Sequence, residues 1–440
     1  MAVQDIGSNI AKIRKQKGYS QAKLAEVLNV SPQAVSKWET GINFPDVELL
    51  LEMSKLFHVS VDGILLNENY TDTEDFMRQN MAAPKKKQIE GIPRISRWEA
   101  PEGCDMFYSM AAMIAEALCA ADHNDAADSE PLSLSVVQER FHEVMHVTGI
   151  AYGFMWRTER RNLVEELWRM SDLSEIVDCA MRYAGRNYHW LTCDNSTRED
   201  MRKMLVWSID HGHPVVMEWA GGIPEYSIIT GYDENGNTIT GYTYCEECAS
   251  SRDPDGKFRV PTRWDEDTED FRMLIIGDKT DPTFTDRDSI IHALRVLDAE
   301  SAADKSEIMQ GTLAGETALQ AWLDACDTPE NALNNMLVSD MYTYGLEMNS
   351  IYTQKAVMPY FRKLGEKSPK SVDNTVIQIG IAVNNLTSDR SAVINRLNVL
   401  RNDISEKGDE IVRLCRGHIE SIIRYRTWLR GWFGELIEKL

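Results

Sequence analysis

Along the first part of the chain, apolar residues recur every three or four positions, the spacing of one face of an α-helix, and short polar breaks separate the runs. The breaks carry helix-start signals. Ser20 and Ser31 are residue types that favour the N-cap, and Pro32 suits a first helical turn, where its missing N–H costs nothing. The pattern predicts an all-α domain over residues 5–67, with helices over residues 5–17, 21–28 and 46–57 and one that starts at Pro32.

Residues 71–93 show weak periodicity and include a basic run at residues 85–87, which predicts a linker. From residue 94 to residue 282 helical spacing comes first and alternating strand patterns follow, with an Asn235-Gly236 turn between two of them. Helices followed by a sheet indicate an α+β domain. The predicted helices are one after Cys104 and those over residues 133–146, 172–184 and 197–211; the predicted strands cover residues 214–219, 226–233, 238–244 and 272–276.

Residues 284–440 carry helical spacing throughout, which predicts an α-helical region that couples the domains or dimerises. The predicted helices cover residues 286–301, 315–325, 331–344, 354–364, 372–386, 391–404 and 410–440. In the last of them a seven-residue repeat and its apolar neighbours comprise Ile419, Ile422, Leu429, Phe433, Leu436 and Leu440. Such a repeat indicates long packed helices. It leaves two alternatives open, a dimer interface built on these residues and their burial inside the chain.

The chain of 440 residues is 43% hydrophobic and 26% charged, which is typical of a globular protein of several domains. Its net charge is −22, but residues 1–70 hold seven Lys or Arg and eight Asp or Glu, so the negative charge lies almost entirely beyond them. Basic residues of the first segment can therefore still cluster to meet phosphate. The acidic remainder repels nucleic acid and keeps non-specific binding weak.

Several classes of protein and site do not match the sequence. No apolar stretch approaches the ~18 residues of a membrane-spanning helix, and the first residues lack a secretory signal. Eight cysteines in a chain of this length are better explained as free thiols than as a disulfide framework. No GxxxxGK[ST] motif occurs, nor a GxGxxG that follows a strand. We therefore expect a cytoplasmic protein with no membrane partner and no cofactor.

The N-terminal segment resembles the Cro/repressor (XRE-type) helix-turn-helix family over about 60 residues. The motifs that carry the resemblance are Ile13-Arg14, Gly18-Tyr19-Ser20-Gln21, Leu24-Ala25, Leu28-Asn29-Val30-Ser31, Val35-Ser36-Lys37-Trp38-Glu39, Gly41, Pro45 and the apolar helix over residues 49–57. The resemblance implies a sequence-specific transcriptional regulator that binds a double-stranded DNA operator, as a homodimer on a two-fold site.

In that family the third helix lies in the major groove with its first residues at the base edges. Mapped onto this sequence, Gln33 is placed to bind adenine and Lys37 to reach guanine or phosphate. Val35 and Trp38 are expected to point inward. The full predicted DNA-binding set is Gln21, Ser31, Gln33, Ala34, Ser36, Lys37, Thr40 and Asn43, of which Gln21, Thr40 and Asn43 hold the backbone.

The middle region resembles papain-like folds, particularly bacteriocin-leader peptidase-like domains and the N-terminal part of the butirosin acyltransferase. The motifs are Gly103-Cys104 before a long helix, His213-Pro214-Val215-Val216, the run from Pro224 to Asp233, Gly236, and the helix that starts at Gly315-Glu316. In such folds a cysteine at a helix start is the nucleophile and a histidine of the sheet accepts its proton. Cys104 matches the first position, but Glu225 occupies the histidine position.

A carboxylate beside Cys104 would raise the thiol pKa, so we expect a non-catalytic domain and no enzyme activity. The cleft is then a sensor for a small-molecule or peptide effector. Its predicted lining, acidic and aromatic and suited to a cation, consists of Cys104, Glu218, Trp219, Glu225 and Tyr226.

Three alternatives stay open. His211 or His213 could serve as base for Cys104, which would make the chain a cysteine hydrolase or acyltransferase fused to a repressor-type domain. The chain could instead be a scaffold that recognises a peptide. Cys245 and Cys248 form one CxxC pair, and a zinc site would need Cys193 or a histidine to complete it, whereas two ordinary cysteines need nothing more.

Overall fold

The computed structural model describes residues 3–17, 19–45, 47–57, 64, 86–95, 107–127, 130–153, 155–157, 173–192, 197–218, 226–243, 258–261, 271–298, 312–337 and 357–440. The chain separates into residues 1–83, the N-terminal unit, and residues 84–440, the C-terminal unit.

The described part of the N-terminal unit is helical, with α1 Val3–Gln16, α2 Gln21–Val27, α3 Pro32–Glu39 and α4 Val47–Phe57. Both predicted N-caps are confirmed: Ser20 Oγ accepts a hydrogen bond from the Lys23 N–H at 3.0 Å, and Ser31 Oγ accepts one from the Ala34 N–H at 3.2 Å. Asn29, with φ of 52°, adopts the left-handed conformation that reverses the chain between α2 and α3.

Apolar side chains from all four helices form one core in this unit. Leu24, Val35 and Phe57 are completely buried. At Gly7 α1 passes very close to α3, because a Cβ added there would lie 2.1 Å from the carbonyl oxygen of Trp38. The absence of a side chain at this position lets the two helices approach.

The C-terminal unit contains a mainly antiparallel sheet in the order β3-β8-β4-β5-β6-β7, with β1 also paired to β5. Its strands are β1 Lys87–Gln88, β3 Arg186–Thr192, β4 Val215–Glu218, β5 Tyr226–Asp233, β6 Thr238–Thr243, β7 Phe258–Pro261 and β8 Arg272–Lys279. The β5–β6 turn holds Asn235 at φ of 58° and Gly236 at φ of 90°, as a tight hairpin requires. A separate pair joins β2 Met155–Arg157 to β9 Thr312–Ala314.

The described helices of the C-terminal unit are α5 Phe107–Asp125, α6 Leu134–Val147, α7 Leu173–Ala184, α8 Arg198–Asp210, α9 Asp286–Leu297, α10 Gly315–Ala325, α11 Pro329–Leu337, α12 Met358–Lys367, α13 Lys370–Leu400 and α14 Ile404–Lys439. Both α5 and α8 contact the central strands β4, β5 and β8. The predicted order, helices and then sheet and then helices, is confirmed. The strands β2, β3, β7 and β9 are additions that the sequence pattern did not predict.

For the C-terminal helices, one expectation needs correction and one pair of open alternatives is decided. The helices predicted over residues 372–386 and 391–404 join in one continuous helix, α13, which ends at Leu400, and Ile404 begins α14. The seven-residue repeat lies on the inner face of α14: Ile422, Leu429 and Leu436 are fully buried within the chain. Of the two alternatives, burial inside the chain is therefore the one observed, and these residues are not available to a second copy.

The predicted segment boundaries also differ from the packing. Within the predicted linker, β1 pairs with β5, and the Gln88 side chain hydrogen bonds to Thr230 Oγ1 at 2.8 Å. Residues 86–93 therefore belong to the C-terminal unit. The regions predicted as separate on either side of residue 283 share one hydrophobic core. Within the ranges given above, no helix is both long and apolar enough to cross a membrane.

Candidate nucleic-acid interface

Helices α2 and α3 form a tight helix-turn-helix whose geometry is held by backbone and cap hydrogen bonds. The Val30 N–H donates to the Ala25 carbonyl at 2.9 Å, which closes the turn. The cap at Ser31 fixes where α3 begins and satisfies one of its free N–H groups. The first turn of α3 therefore starts at a defined residue.

The two faces of α3 differ in exposure. Val35 and Trp38 are buried at 0% and 4% exposure, which confirms that they point inward. Gln33 and Lys37 are exposed and lie four residues apart, so they share one face of the helix. Ala34 and Ser36, the other two residues predicted at the base edges, are half-buried.

The residues predicted to hold the DNA backbone flank α3. The Thr40 hydroxyl donates its proton to the Ser36 carbonyl at 2.8 Å. In this arrangement the hydroxyl has only its two lone pairs, which are acceptors, for any other partner. Asn43 Oδ1 accepts from the Phe44 N–H at 2.9 Å. That bond uses the carboxamide oxygen of Asn43, whereas a phosphate contact would use its nitrogen.

Gln21 lies in a network that joins three helices. Its Nε2 donates to Glu39 Oε2 at 2.8 Å, and Glu39 in turn forms a two-bonded pair with Arg14, at 2.5 and 3.0 Å. Arg14 also donates to the Tyr19 carbonyl at 2.6 Å. The network fixes the end of α3 against α1 and the start of α2, so Gln21 helps to position α3.

The Arg14–Glu39 pair was not predicted, because the two residues are separated by 25 positions and no local pattern links them. Burial opposes ionisation of Glu39, but hydrogen bonds from Arg14 and Gln21 outweigh it and hold the pKa of Glu39 below its ordinary value. The hydrogen bond to Glu39 raises the pKa of Arg14. Both groups therefore stay charged at neutral pH.

The predicted effector pocket falls partly outside the described residues, which do not include Cys104, Trp219 and Glu225. Glu218 and Tyr226 are described and buried, at 4% and 0% exposure. Arg272 donates to both carboxylate oxygens of Glu218, at 2.9 and 2.8 Å. The negative charge that was expected to attract a cation is therefore already balanced at Glu218.

The histidines considered as bases have other contacts. His213 is bound through both ring nitrogens, to the Ile276 carbonyl at 3.0 Å and to Asp125 at 2.8 Å. His211 bonds to the Trp207 carbonyl at 2.8 Å. Cys193, Cys245 and Cys248 lie outside the described residues, and among those that are described no cluster of His, Cys, Asp and Glu could hold a metal ion.

Comparison with known proteins finds similarity in the N-terminal unit. Residues 10–64 match the family described as Helix-turn-helix, HTH_3. The transcriptional activator BcrR of Enterococcus faecalis is 39% identical over 64 residues, 14% of this chain and 31% of that protein. The regulator ImmR of Bacillus subtilis is 35% identical over 60 residues, 14% of this chain and 47% of that protein. The regulator SinR of Bacillus licheniformis is 30% identical over 104 residues, 21% of this chain and 94% of that protein.

The first relatives are thus matched over only part of their length, from 31% to 55% for BcrR, ImmR and a prophage-derived regulator of Bacillus subtilis. No solved structure matches this chain. The matched family model covers the N-terminal helices.

Proposed function

Because the chain belongs to the helix-turn-helix family of transcriptional regulators, we propose that it binds a specific double-stranded operator with α3 in the major groove. The observation that supports this most directly is the shared exposed face of Gln33 and Lys37 on a helix whose start is capped by Ser31. Glutamine pairs well with adenine and lysine with guanine or phosphate.

Residues around α3 complete the proposed interface. Gln21, Thr40 and Asn43 hold the phosphate backbone, and the Thr40 hydroxyl turns its proton from the Ser36 carbonyl to phosphate when DNA binds. Ser31, Ala34 and Ser36 line the approach to the bases. Ile42, which the sequence analysis did not include, is 73% exposed between Thr40 and Asn43. Its apolar side chain is suited to contact with sugars or a thymine methyl group.

The test begins with selection of bound sequences from a random double-stranded DNA library by the full chain. On the selected site, Gln33→Ala should weaken binding by about 1–3 kcal/mol and relax the preference at one base pair. Lys37→Ala should weaken binding, and the salt dependence of the loss distinguishes a phosphate contact from a base contact.

The matched control is Lys407→Ala, which removes an exposed lysine of α14 in the C-terminal unit and should leave the affinity unchanged. Unchanged affinity of both Gln33→Ala and Lys37→Ala would refute the groove assignment. A loss of equal size for Lys407→Ala would mean that the effect is general electrostatics and not a contact of α3.

The C-terminal unit is proposed to be the sensor and coupling part of the regulator, with a non-catalytic papain-like arrangement that takes a small molecule or a peptide. Two observations support this proposal. The sequence motifs resemble those of papain-like folds, and a long helix, α5, precedes an antiparallel sheet along the chain. The Arg272–Glu218 pair removes the argument for a cationic ligand, so the effector's charge is left undefined. Mass spectrometry of ligands that copurify with the full chain tests this proposal and separates a small molecule from a peptide.

The regulator is further proposed to act as a homodimer. One such domain covers a half-site, and two-fold operators present half-sites about 34 Å apart. The surface that joins the two copies is not the predicted repeat of α14, since those residues are buried within the chain.

A further inference from the structure

A groove of about 770 Å³ lies between α13 and α14, and it is lined by exposed residues of both helices together with the buried Leu386 and Tyr425. Apolar side chains line its middle, and two of them are unusually open: Trp428 is 54% exposed and Ile381 is 50% exposed. Trp432 lies beside Trp428, with ring centroids 6.3 Å apart. Large apolar side chains that are exposed next to one another often mark an interaction surface, whereas single scattered ones are ordinary.

The outer face of α14 carries a second stripe, distinct from the buried repeat. Arg424, Trp428, Gly431 and Glu435 follow one another at spacings of four, three and four residues, and all four line the groove. This spacing is that of a seam along which one helix packs on another. The inner repeat of the same helix serves the chain's own core, whereas the outer stripe is exposed. Within the chain, Glu435 pairs with Lys439 at 3.0 Å and Arg424 donates to Ser421 Oγ at 2.9 Å, and a partner would compete with these exposed contacts.

The stripe is complementary to itself when two α14 helices run antiparallel. A two-fold axis between Leu429 and Arg430 places Trp428 of one copy opposite Gly431 of the other. A Cβ added at Gly431 would meet nothing within 4 Å, so there is room above this residue for an indole ring. The same axis places Arg424 opposite Glu435 of the other copy, each about 8 Å from the axis at a rise of about 1.5 Å per residue.

The contacts between α13 and α14 put the apolar part of α13 at the same level. Glu435 accepts a hydrogen bond from Thr375 at 3.2 Å, and Asp389 bonds to His418 at 2.8 Å, so the middle of α14 lies opposite the stretch of α13 between these two contacts. Ile381 lies in that stretch. Apolar groups thus surround the axis and charged groups lie at the edge, which is the anatomy of a protein interface.

We propose that this groove is the contact between two copies of the chain, which pack α14 against α14 in antiparallel order about a two-fold axis. The inference rests on the proposed function in one respect, since a dimer is what a two-fold operator requires. We choose a second copy as the occupant because the symmetric positions are complementary. Trp428 meets the small Gly431 of the other copy, and Arg424 meets the oppositely charged Glu435. A contact between identical patches has this property by necessity.

The test measures the association of the full chain by sedimentation equilibrium in the absence of DNA. Arg424→Glu replaces two attractive pairs with two repulsive ones and should raise the dimer dissociation constant at least tenfold at low salt, with a smaller effect at high salt. Glu435→Arg alone should also weaken association, but it removes the pair of Glu435 with Lys439 at 3.0 Å as well, so Arg424→Glu is the primary test. The double variant Arg424→Glu with Glu435→Arg restores opposite charges and should restore association.

The matched control is Arg401→Glu, the same change at an exposed residue that follows α13, far from the groove, and it should leave association unchanged. Circular dichroism melts of every variant identify loss of folding, and rescue by the double variant cannot arise from damage to the fold. A monomeric wild-type chain would overturn the proposal, including one that carries a small molecule or peptide in the groove. So would a dimer that Arg424→Glu does not weaken. Because no DNA is present, either failure is separate from failure of operator binding.

Discussion

The Arg14–Glu39 pair yields the sharpest prediction for the N-terminal unit. Its side chains are only 8% and 7% exposed, and the two hydrogen bonds between them connect α1 with the end of α3. Glu39→Gln keeps the shape of the side chain and removes its charge, so the Arg14 guanidinium stays buried without an anion. Loss of one partner of a fully buried pair costs about 3–5 kcal/mol. Since Gln can still accept one hydrogen bond from Arg14, we expect a loss of about 2–3 kcal/mol.

Hydrogen exchange followed by mass spectrometry of the full chain suits this measurement, because it reports the N-terminal unit separately from the rest. A loss of about 2–3 kcal/mol corresponds to exchange about 30- to 150-fold faster in peptides of α1 and α3 at neutral pH. The matched control is Glu26→Gln. Glu26 pairs with Lys23 at 3.1 Å but is 70% exposed, so the same substitution there should cost less than about 1 kcal/mol.

The pH dependence has a defined sign. The folded-state pKa of Glu39 lies below its unfolded value, so its contribution is fully present above the unfolded pKa and is lost as the pH falls through the folded pKa. Protection of the wild-type N-terminal unit should therefore decline on acidification below about pH 4, and Glu39→Gln should remove that part of the decline. Equal protection of Glu39→Gln and wild type at neutral pH would show that the pair does not hold α3.

Two further predictions concern glycine positions and thiols. Gly7→Ala should destabilise the N-terminal unit by about 1–3 kcal/mol, because the new Cβ would lie 2.1 Å from the Trp38 carbonyl oxygen. Gly417→Ala in α14 should instead raise the melting temperature, because the new Cβ meets nothing within 4 Å and alanine has the higher helix propensity. Burial raises the pKa of Cys119 to about 11 and that of Cys179 and Cys326 to about 12. These three thiols should resist iodoacetamide in the native chain at neutral pH. Rapid labelling of Cys104, with an inflection below pH 7 in the plot of alkylation rate against pH, would favour the cysteine-enzyme alternative over a sensor.

The features that the sequence predicted are those with local causes. The caps at Ser20 and Ser31, the inward Val35 and Trp38 and the Asn235-Gly236 turn each depend on a few neighbouring residues. The break predicted near residue 387 did not occur, because hydroxyl groups that often end a helix are satisfied inside it. The Thr387 hydroxyl donates to the Val383 carbonyl at 2.8 Å, which lets α13 continue.

What the sequence did not predict depends on partners that are distant along the chain. Strand β9 pairs with β2, more than 150 positions earlier, and β3 alternates polar and aromatic residues without a clean apolar face. The balance of Glu218 by Arg272 and of Glu39 by Arg14 is likewise invisible to any local pattern. These distant partners matter most for the predicted effector pocket. Its acidic residues predicted a negative charge, but Arg272 neutralises that charge at Glu218.

In the proposed dimer, the two faces of α14 have different roles. Its inner face, with Ile422, Leu429 and Leu436, is committed to the core of the C-terminal unit, and its outer face carries the self-complementary stripe. A change on the outer face can therefore alter association without altering the fold. When two DNA-binding domains are joined in a dimer, the second domain meets its half-site at an effective concentration that reaches millimolar for short connections. It follows that Arg424→Glu should weaken binding to a two-half-site operator much more than binding to an isolated half-site, whereas Gln33→Ala should weaken both.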